Sequence, residues 1–498
     1  MEKKIIVIGG GIAGLAVGCY ARMNGYGALL FELNDKPGGL CTSWTRKGYL
    51  VDGCLHWLVG SGPAARGLHQ CWLELGALQG RKFLDHEIYI TVRGKDGKVL
   101  NVYTDTDRFE AHLKELSPQD APVIEEFAAL VRRLGKVDMD FGKPKEIQTW
   151  AEKLAGLAKI MPFIMPFMKY EKVSIQEFAK RFKDPFLREA FAAPFDLPDF
   201  PLLGVAFSYA WMNNKSAGYP IGGSLALARA IEKRFLDLGG KVHYKARVEK
   251  VLVEGGRAVG IRLVGGAEHR ADGVVSAADG RATIFDMLEG KFVNDEIREY
   301  YKSLPRFRPL IQASFGVDRD LRGEPEMAAY ELEEPMTIAG EEQKYLTIHN
   351  YSCDPTTAPP GKSVLVIRLM SDYDNWKKLA ADKGAYEEEK EKVGNSLMGF
   401  LESRYPGISE QVEMLDVATP LTFERYTANW EGSMEGWLMT TKTMRLRMKK
   451  TLPGLNNFYM AGQWVSPGGG LPGCAITAKE VMHLICHADG RAFQTSVP

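Results

Sequence analysis

No part of this chain restricts its fold more than the stretch from Lys4 to Glu32. Lys4 to Ile8 is a short apolar run suited to a buried parallel strand, and it leads straight into Gly9, Gly11 and Gly14 in the order G-x-G-x-x-G. Ile12, Leu15, Ala16, Cys19, Tyr20 and Met23 then recur at helical spacing, Gly25 and Gly27 end the helix, and Ala28 to Glu32 is a second buried strand. This is a βαβ opening with a dinucleotide fingerprint. Gly9 permits the tight turn, Gly11 lets the backbone approach a pyrophosphate, and Gly14 lets helix and strand pack closely. Ile12 and Ala13 sit in the first turn, where unpaired N–H groups and the helix dipole favour phosphate. Glu32 closes the second strand at about the spacing (~20 residues) expected of the acid that binds ribose hydroxyls, and its charge opposes a 2′-phosphate.

A second glycine-rich turn, Pro37-Gly38-Gly39-Leu40, follows the ribose strand closely. A nicotinamide dehydrogenase has no use for it, whereas in a flavoprotein it passes along the pyrophosphate and ribitol. The expected cofactor is therefore FAD, with Gly38, Gly39 and Leu40 among its contacts.

Further along, Ile88 to Val92 alternates around a Gly94–Gly97 turn and predicts a β-hairpin over 85–103. Ser117 and Pro118 are placed to start a helix, and residues 123–217 are mostly helical in pattern. Gly222–Gly223 precede a helix from about Ser224 to Leu238, and strands are expected at 241–244, 248–253, 259–263 and 271–277. Ser363 to Met370 is a further strand, and a charged helix is expected around Lys378 to Tyr405. The last segment, NFYMAGQW, predicts one more strand, a glycine-rich turn and a helix. The glycine-marked segments near 10, 222 and 468 are far apart in sequence and are expected to converge.

The chain has 498 residues, room for two or three domains. Lys plus Arg equals Asp plus Glu at 63 each, so the basic excess of a nucleic-acid binder is missing. Seven cysteines in no C-x-x-C spacing argue against a zinc site or a disulfide framework and for scattered thiols in a reducing compartment. No metal is expected. The start lacks a secretory pattern and no run of ~18 apolar residues occurs, so a cytoplasmic protein without a spanning helix is expected.

Four segments resemble the phytoene desaturase-like flavoproteins, in particular the branch of carotenoid isomerases and retinol saturases. They are VIGGGIAGL through KPGGLCTSW and GYLVDGCLHW; GYPIGGSLALARAI from Gly218; KVHYKARVEKVLVEGGRAVGIRL with ADGVVSAADGRAT; and NFYMAGQWVSPGGGLPGCAITA at 457–478. The resemblance implies an α/β fold: a discontinuous Rossmann-type, glutathione reductase-like FAD domain (1–84, 218–295 and 441–498) with an inserted α+β substrate domain (85–217 and 296–440). It implies an adenine contact at Val248, further cofactor contacts at Ala277 and Asp279, and a C-terminal clamp of Gly462, Gln463, Gly473, Cys474, Ala475 and Ile476. Backbone donors of that clamp and the helix from about Ala475 would stabilise the charge of reduced flavin. Gln463 stands where many such flavoproteins carry an acid, Ala278-Asp279-Gly280 matches its segment only approximately, and no second G-x-G-x-x-G unit for a nicotinamide domain is seen.

On the substrate side the resemblance implies a hydrophobic isoprenoid or carotenoid-like lipid whose C=C bond is desaturated, saturated or isomerised by hydride exchange with flavin N5. FERYTANWEGSMEGW at 423–437 resembles the branch's R-Y-T-G-N segment, which makes Arg425 and Tyr426 catalytic candidates, with His56 a third and His349 a weaker fourth. The apolar stretch 154–170, flanked by Lys153, Lys159, Lys169 and Lys172, can be core or a membrane-contacting flap at the inner membrane surface; Pro162 and Pro166 are expected to break any long helix there. Two other readings share the fold: an amine oxidase-type flavoenzyme, and a flavin-free prenyl-binding carrier like the GDP-dissociation inhibitors.

Overall fold

The computed structural model describes residues 2–137, 143–195 and 197–498, and within its long helix at 150–170 the side chains of 157–160 and 162 fall outside the description. The expectations for Leu157, Lys159, Ile160 and the Pro162 ring lie there.

Lys4–Ile8 is the middle of a five-stranded parallel sheet. Its neighbours are Gly27–Phe31 on one side, followed by Lys241–His243, and Gly273–Ser276 on the other, followed by Phe458–Met460. Strands from the start, the middle and the end of the chain thus share one sheet. Such a sheet is buried on both faces, and Ile5 to Ile8 are all buried. The helix Ile12–Met23 covers it together with Gly223–Asp237 and the C-terminal helix Gly470–Ala488. Glycine permits this closeness: a Cβ on Gly14 would stand 1.9 Å from the Gly9 carbonyl oxygen, and one on Gly18 would stand 2.8 Å from the Phe235 ring. Beyond each strand the chain turns at the same edge. Gly9 N donates to Phe31 O, Ala277 N to Ile8 O and Ala461 N to Ser276 O, at 2.8, 2.8 and 2.9 Å.

The second layer is a seven-stranded sheet in the order Val412–Ala418, Leu310–Val317, Ser363–Met370, Glu341–Asn350, Met327–Ile338, Ile88–Arg93, Val99–Tyr103. It is antiparallel except where Met327–Ile338 meets Ile88–Arg93. The predicted hairpin is its edge. Helices from the 106–213 stretch form a separate aromatic-rich core against that edge. The protein is α/β, with a Rossmann-type sheet and a second α+β layer.

Three local expectations are corrected. The stretch with Pro162 and Pro166 is one unbroken helix, Trp150–Tyr170. The two residues lacking N–H are four apart and so lie on one side, leaving the rest of the ladder intact, and a capping box fixes the start: Thr149 N donates to Glu152 Oε2 at 2.7 Å and Glu152 N to Thr149 Oγ1 at 3.3 Å. Ser117 does not cap a helix; its hydroxyl donates to Asp120 Oδ2 at 2.8 Å, and a 3₁₀ turn Pro118–Asp120 precedes the helix Ala121–Leu134. The charged helix near 378–405 is two, Tyr373–Leu379 and Lys383–Arg404, the second capped by Asp382.

Candidate active site

The strand ends of the parallel sheet open onto a cavity of about 1190 Å³ that runs on beneath the second layer. At the sheet end its wall is backbone. Gly38 N donates to Gly10 O at 2.9 Å, so the second glycine turn docks on the first. A Cβ on Gly39 would lie 3.4 Å from Gly11 Cα, and one on Gly462 would lie 3.3 Å from Ala13 Cβ. The fingerprint, the Pro37–Leu40 turn and the C-terminal segment therefore meet. Gly462 is held there by Thr477, whose hydroxyl oxygen accepts from Gly462 N at 2.8 Å.

Glu32 is buried at this end. Its carboxylate accepts from Gly10 N at 2.6 Å and from Asn34 N at 2.8 Å. Burial pushes it above the usual carboxylate range while these backbone donors oppose the shift. Each oxygen keeps acceptor capacity for a ligand hydroxyl. Val248, Ala277 and Asp279 line the same end. Both Asp279 oxygens are already engaged, accepting from Ala282 N at 2.8 Å and Trp430 N at 2.9 Å, and burial pushes its carboxyl up to about 6. Asp279 thus ties down the 430 loop beside the cavity.

Of the C-terminal clamp, Gly462, Gln463 and Cys474 line the cavity together with the Gly468–Pro472 turn. Ala475 is fully buried in the core below, and Gly473 and Ile476 are half-buried on either side of it in the first turns of the same helix. Gly14 is likewise a packing residue rather than part of the wall. The first turns of Ile12–Met23 and Gly470–Ala488 both face this space and bring two positive helix ends to it. A glycine-lined groove, a buried acid with acceptor capacity to spare and two helix N-termini are a set of groups that a flavin nucleotide would fit.

The substrate-side candidates do not come together. Tyr426 and Arg425 lie on the helix Pro420–Thr427 and are exposed. The Tyr426 carbonyl accepts from the Asn34 side chain, which places it close to Glu32 at the sheet end of the cavity. His56 is elsewhere on the cavity wall, its ring stacked on His349 at 4.2 Å between centroids. An Arg368 Nη faces His56 Nε2 and, having donors only, must be the donor. The His56 proton is then on Nδ1, 3.1 Å from the Tyr351 hydroxyl, which donates to Leu55 O at 3.4 Å. Both His56 nitrogens are occupied. Burial, His349 and Arg368 hold the imidazole well below its usual range, so it is neutral at pH 7. Arg368 is fixed by Gln312 Oε1 at 2.8 Å and Asp52 O at 2.9 Å and is a cation in the cavity wall.

Glu435 was not among the residues picked from sequence. It lines the cavity between two glycines of positive φ, Gly432 and Gly436, and under Gly469, where a Cβ would stand 2.5 Å from its own. Among the described residues its carboxylate has no hydrogen-bond or ion-pair partner. Burial alone pushes it up to about 7. The flanking glycines in WEGSMEGW were the legible trace of that tight turn. Arg368 left none, since it is one charge in an apolar strand.

The far end is apolar, with Phe167, Phe195, Phe200, Leu203, Phe207 and Trp211 in its wall. Phe167 belongs to the helix Trp150–Tyr170, whose outward side exposes Trp150, Leu154, Met161, Met165 and Met168. Among the described residues no helix is long and apolar enough to cross a membrane, and no group of three or more His, Cys, Asp or Glu side chains is set to hold a metal ion.

A groove built by both ends of the chain, opening on an apolar chamber, defines the class: a flavoprotein oxidoreductase. The chain belongs to the family of flavin-containing amine oxidoreductases, which matches residues 12–481. It is 26% identical to an inactive all-trans-retinol 13,14-reductase of Danio rerio, covering 97% of this chain and 86% of that protein. It is 27% identical to a neurosporene-forming phytoene desaturase of Cereibacter sphaeroides, covering 99% and 96%. An oxidoreductase from Methanosarcina mazei shares the fold, with a TM-score of 0.62 at 19% identity over 96% of this chain and 99% of that one.

Proposed function

We propose that the protein is an FAD-dependent oxidoreductase acting on a carbon–carbon double bond of a long apolar isoprenoid lipid. The observation that carries this is the continuity of one cavity from the glycine groove to the aromatic chamber. FAD, when bound, would supply the hydride exchange. The chain's own residues do the rest. Glu32 and the glycine turns would hold the nucleotide. The aromatic wall would align an extended apolar chain and keep water out, and Arg368 would set a fixed positive charge in the wall.

A reaction at an unactivated double bond needs at most one proton moved. We assign that proton to Glu435, unpartnered and held near neutral pKa in the wall, and not to Tyr426, which stands at the sheet end of the cavity, or to His56, which has no free nitrogen. His56 and Tyr351 then position Arg368. The exposed apolar side of Trp150–Tyr170 would dip into a lipid surface, with Lys153 and Lys172 at the anionic headgroups, and so place the chamber where such a substrate resides.

The test is to purify the protein, record its visible spectrum, and identify lipids extracted from it by mass spectrometry. A flavin spectrum and a polyisoprenoid turned over with a mass change of two hydrogens, or with altered double-bond geometry, are expected. Colourless protein that takes up no FAD, or rapid peroxide formation from amines without action on isoprenoids, would sink the reading.

A further inference from the structure

We propose that Cys41 and Cys54 form a redox-active dithiol in the wall of the cofactor cavity, which closes to a disulfide when hydrogen peroxide reaches it. The hairpin Ser43–Arg46 with Tyr49–Asp52 pairs Ser43 with Asp52 in antiparallel register. One step further, Gly53 N donates to Thr42 O at 3.0 Å, so the ladder continues. Extended one step more, that register sets Cys41 opposite Cys54, and the two thiols are in hydrogen-bond contact. This pairing repeats the Ser43–Asp52 type of pair, in which facing Cα atoms stand ~4.5 Å apart, inside the ~4.4–6.8 Å span of a disulfide.

The surroundings fix both residues. Asp52 Oδ1 accepts from Cys54 N at 2.8 Å and from the Ser224 hydroxyl at 2.6 Å, and the Cys41 thiol donates to Ser224 O at 3.4 Å. Cys41 is buried and Cys54 half-buried, yet both line the cavity, as Cys474 does. Two of the seven cysteines are therefore paired by strand register and aimed at the space the fold reserves for a redox cofactor. The others do not share that register.

The adjacent Cys54 and burial push the Cys41 thiol well above its usual range. Cys41 keeps its proton, and the more accessible Cys54 meets the oxidant first. The Cys54 sulfur attacks one peroxide oxygen and the O–O bond breaks; the thiol's proton joins the displaced hydroxide as water, and Cys54 is left as a sulfenic acid. Cys41 sulfur then attacks the Cys54 sulfur; its proton leaves with the displaced hydroxide as a second water. Two thiols and one peroxide give one disulfide and two waters. Peroxide is small enough to enter beside a bound cofactor, and it is the oxidant a flavoprotein in air encounters.

Only the proximity to flavin rests on the proposed function, so the experiment is run on the flavin-loaded protein and on protein stripped of flavin. Each is reduced, freed of reductant, exposed to hydrogen peroxide, quenched with catalase, alkylated under denaturing conditions and cut with trypsin, which cleaves at Arg46 and Lys47 and separates the two cysteines. The expected result is a Cys41–Cys54 linked peptide, two hydrogens lighter than the sum of the reduced peptides and reversed by reductant, with Cys19 and Cys486 still alkylated. In Cys41→Ser a dimedone adduct on Cys54 is expected. If both thiols stay alkylatable after peroxide, if Cys54 instead links to Cys474, or if Cys41→Ser yields folded protein without the adduct, the proposal fails. A linked peptide from protein unable to bind FAD would leave the dithiol standing while the cofactor reading fell.

Discussion

Two carboxylates in the wall of one cavity, Glu32 buried and Glu435 half-buried, behave differently because of what surrounds them. Glu32 is tied by Gly10 and Asn34 backbone donors, so it is a fixed acceptor. Hydrogen bonds to a charged group contribute ~1.5–3 kcal/mol each; losing one ligand contact and the turn it organises in Glu32→Ala should weaken FAD binding by about 10–100-fold, read by flavin fluorescence titration. Glu435 has no such partners and its carboxyl rises to about 7. In Glu435→Gln, turnover should fall by about 10²–10⁴-fold and the pH–rate limb near 7 should vanish; a rate within threefold of the parent would remove Glu435 from the mechanism. The same shift has a stability consequence. A carboxyl whose folded pKa exceeds the unfolded ~4.3 favours folding fully only below the unfolded value, and that contribution is lost as pH rises through about 7. Cofactor-free Glu435→Gln should therefore resist urea better than the parent above pH 7, and the gap should shrink progressively towards pH 4.

Packing sets what each element tolerates. The helix Ile12–Met23 rides so close to the preceding turn that Gly14→Ala drives a methyl to 1.9 Å from Gly9 O. This contact is with backbone and cannot relax by rotamer change, so a loss of about 1–3 kcal/mol or more is expected by denaturant titration. That glycine was legible in the sequence because the fingerprint states its reason. The helix Trp150–Tyr170 was not legible. Its two prolines argue for a break, and only the finished fold shows one face on the chamber through Phe167 while the other exposes Met165 at 75%. Periodicity could count apolar residues there but could not say that they serve two environments. If the outer face meets lipid, Met161, Met165 and Met168 changed together to Ser should abolish co-sedimentation with anionic vesicles yet leave the melting temperature within a few degrees. Retained vesicle binding would return the stretch to a merely exposed surface.

At the scale of the molecule, the parallel sheet was readable because each strand came with a glycine turn, and the order of those turns implied closure. The acid–base arrangement was not, because Glu435 and Arg368 acquire their properties from segments remote in sequence: Gly469 over one, Asp52 and Gln312 around the other. Closure has a measurable consequence. Phe458–Met460 pairs with Gly273–Ser276, which pairs with Lys4–Ile8, and Gly462 abuts Ala13. A ligand held by the first turn and the last must therefore order both together. FAD at 100 times its Kd should add about 2.7 kcal/mol to the unfolding free energy. In hydrogen exchange, protection should rise at residues 9–14 and 462–474 in the same titration, with one midpoint. Protection confined to the N-terminal turn would mean that the C-terminal segment packs on the sheet without touching the cofactor, and the reading of Gly462, Gln463 and Cys474 as its contacts would fall.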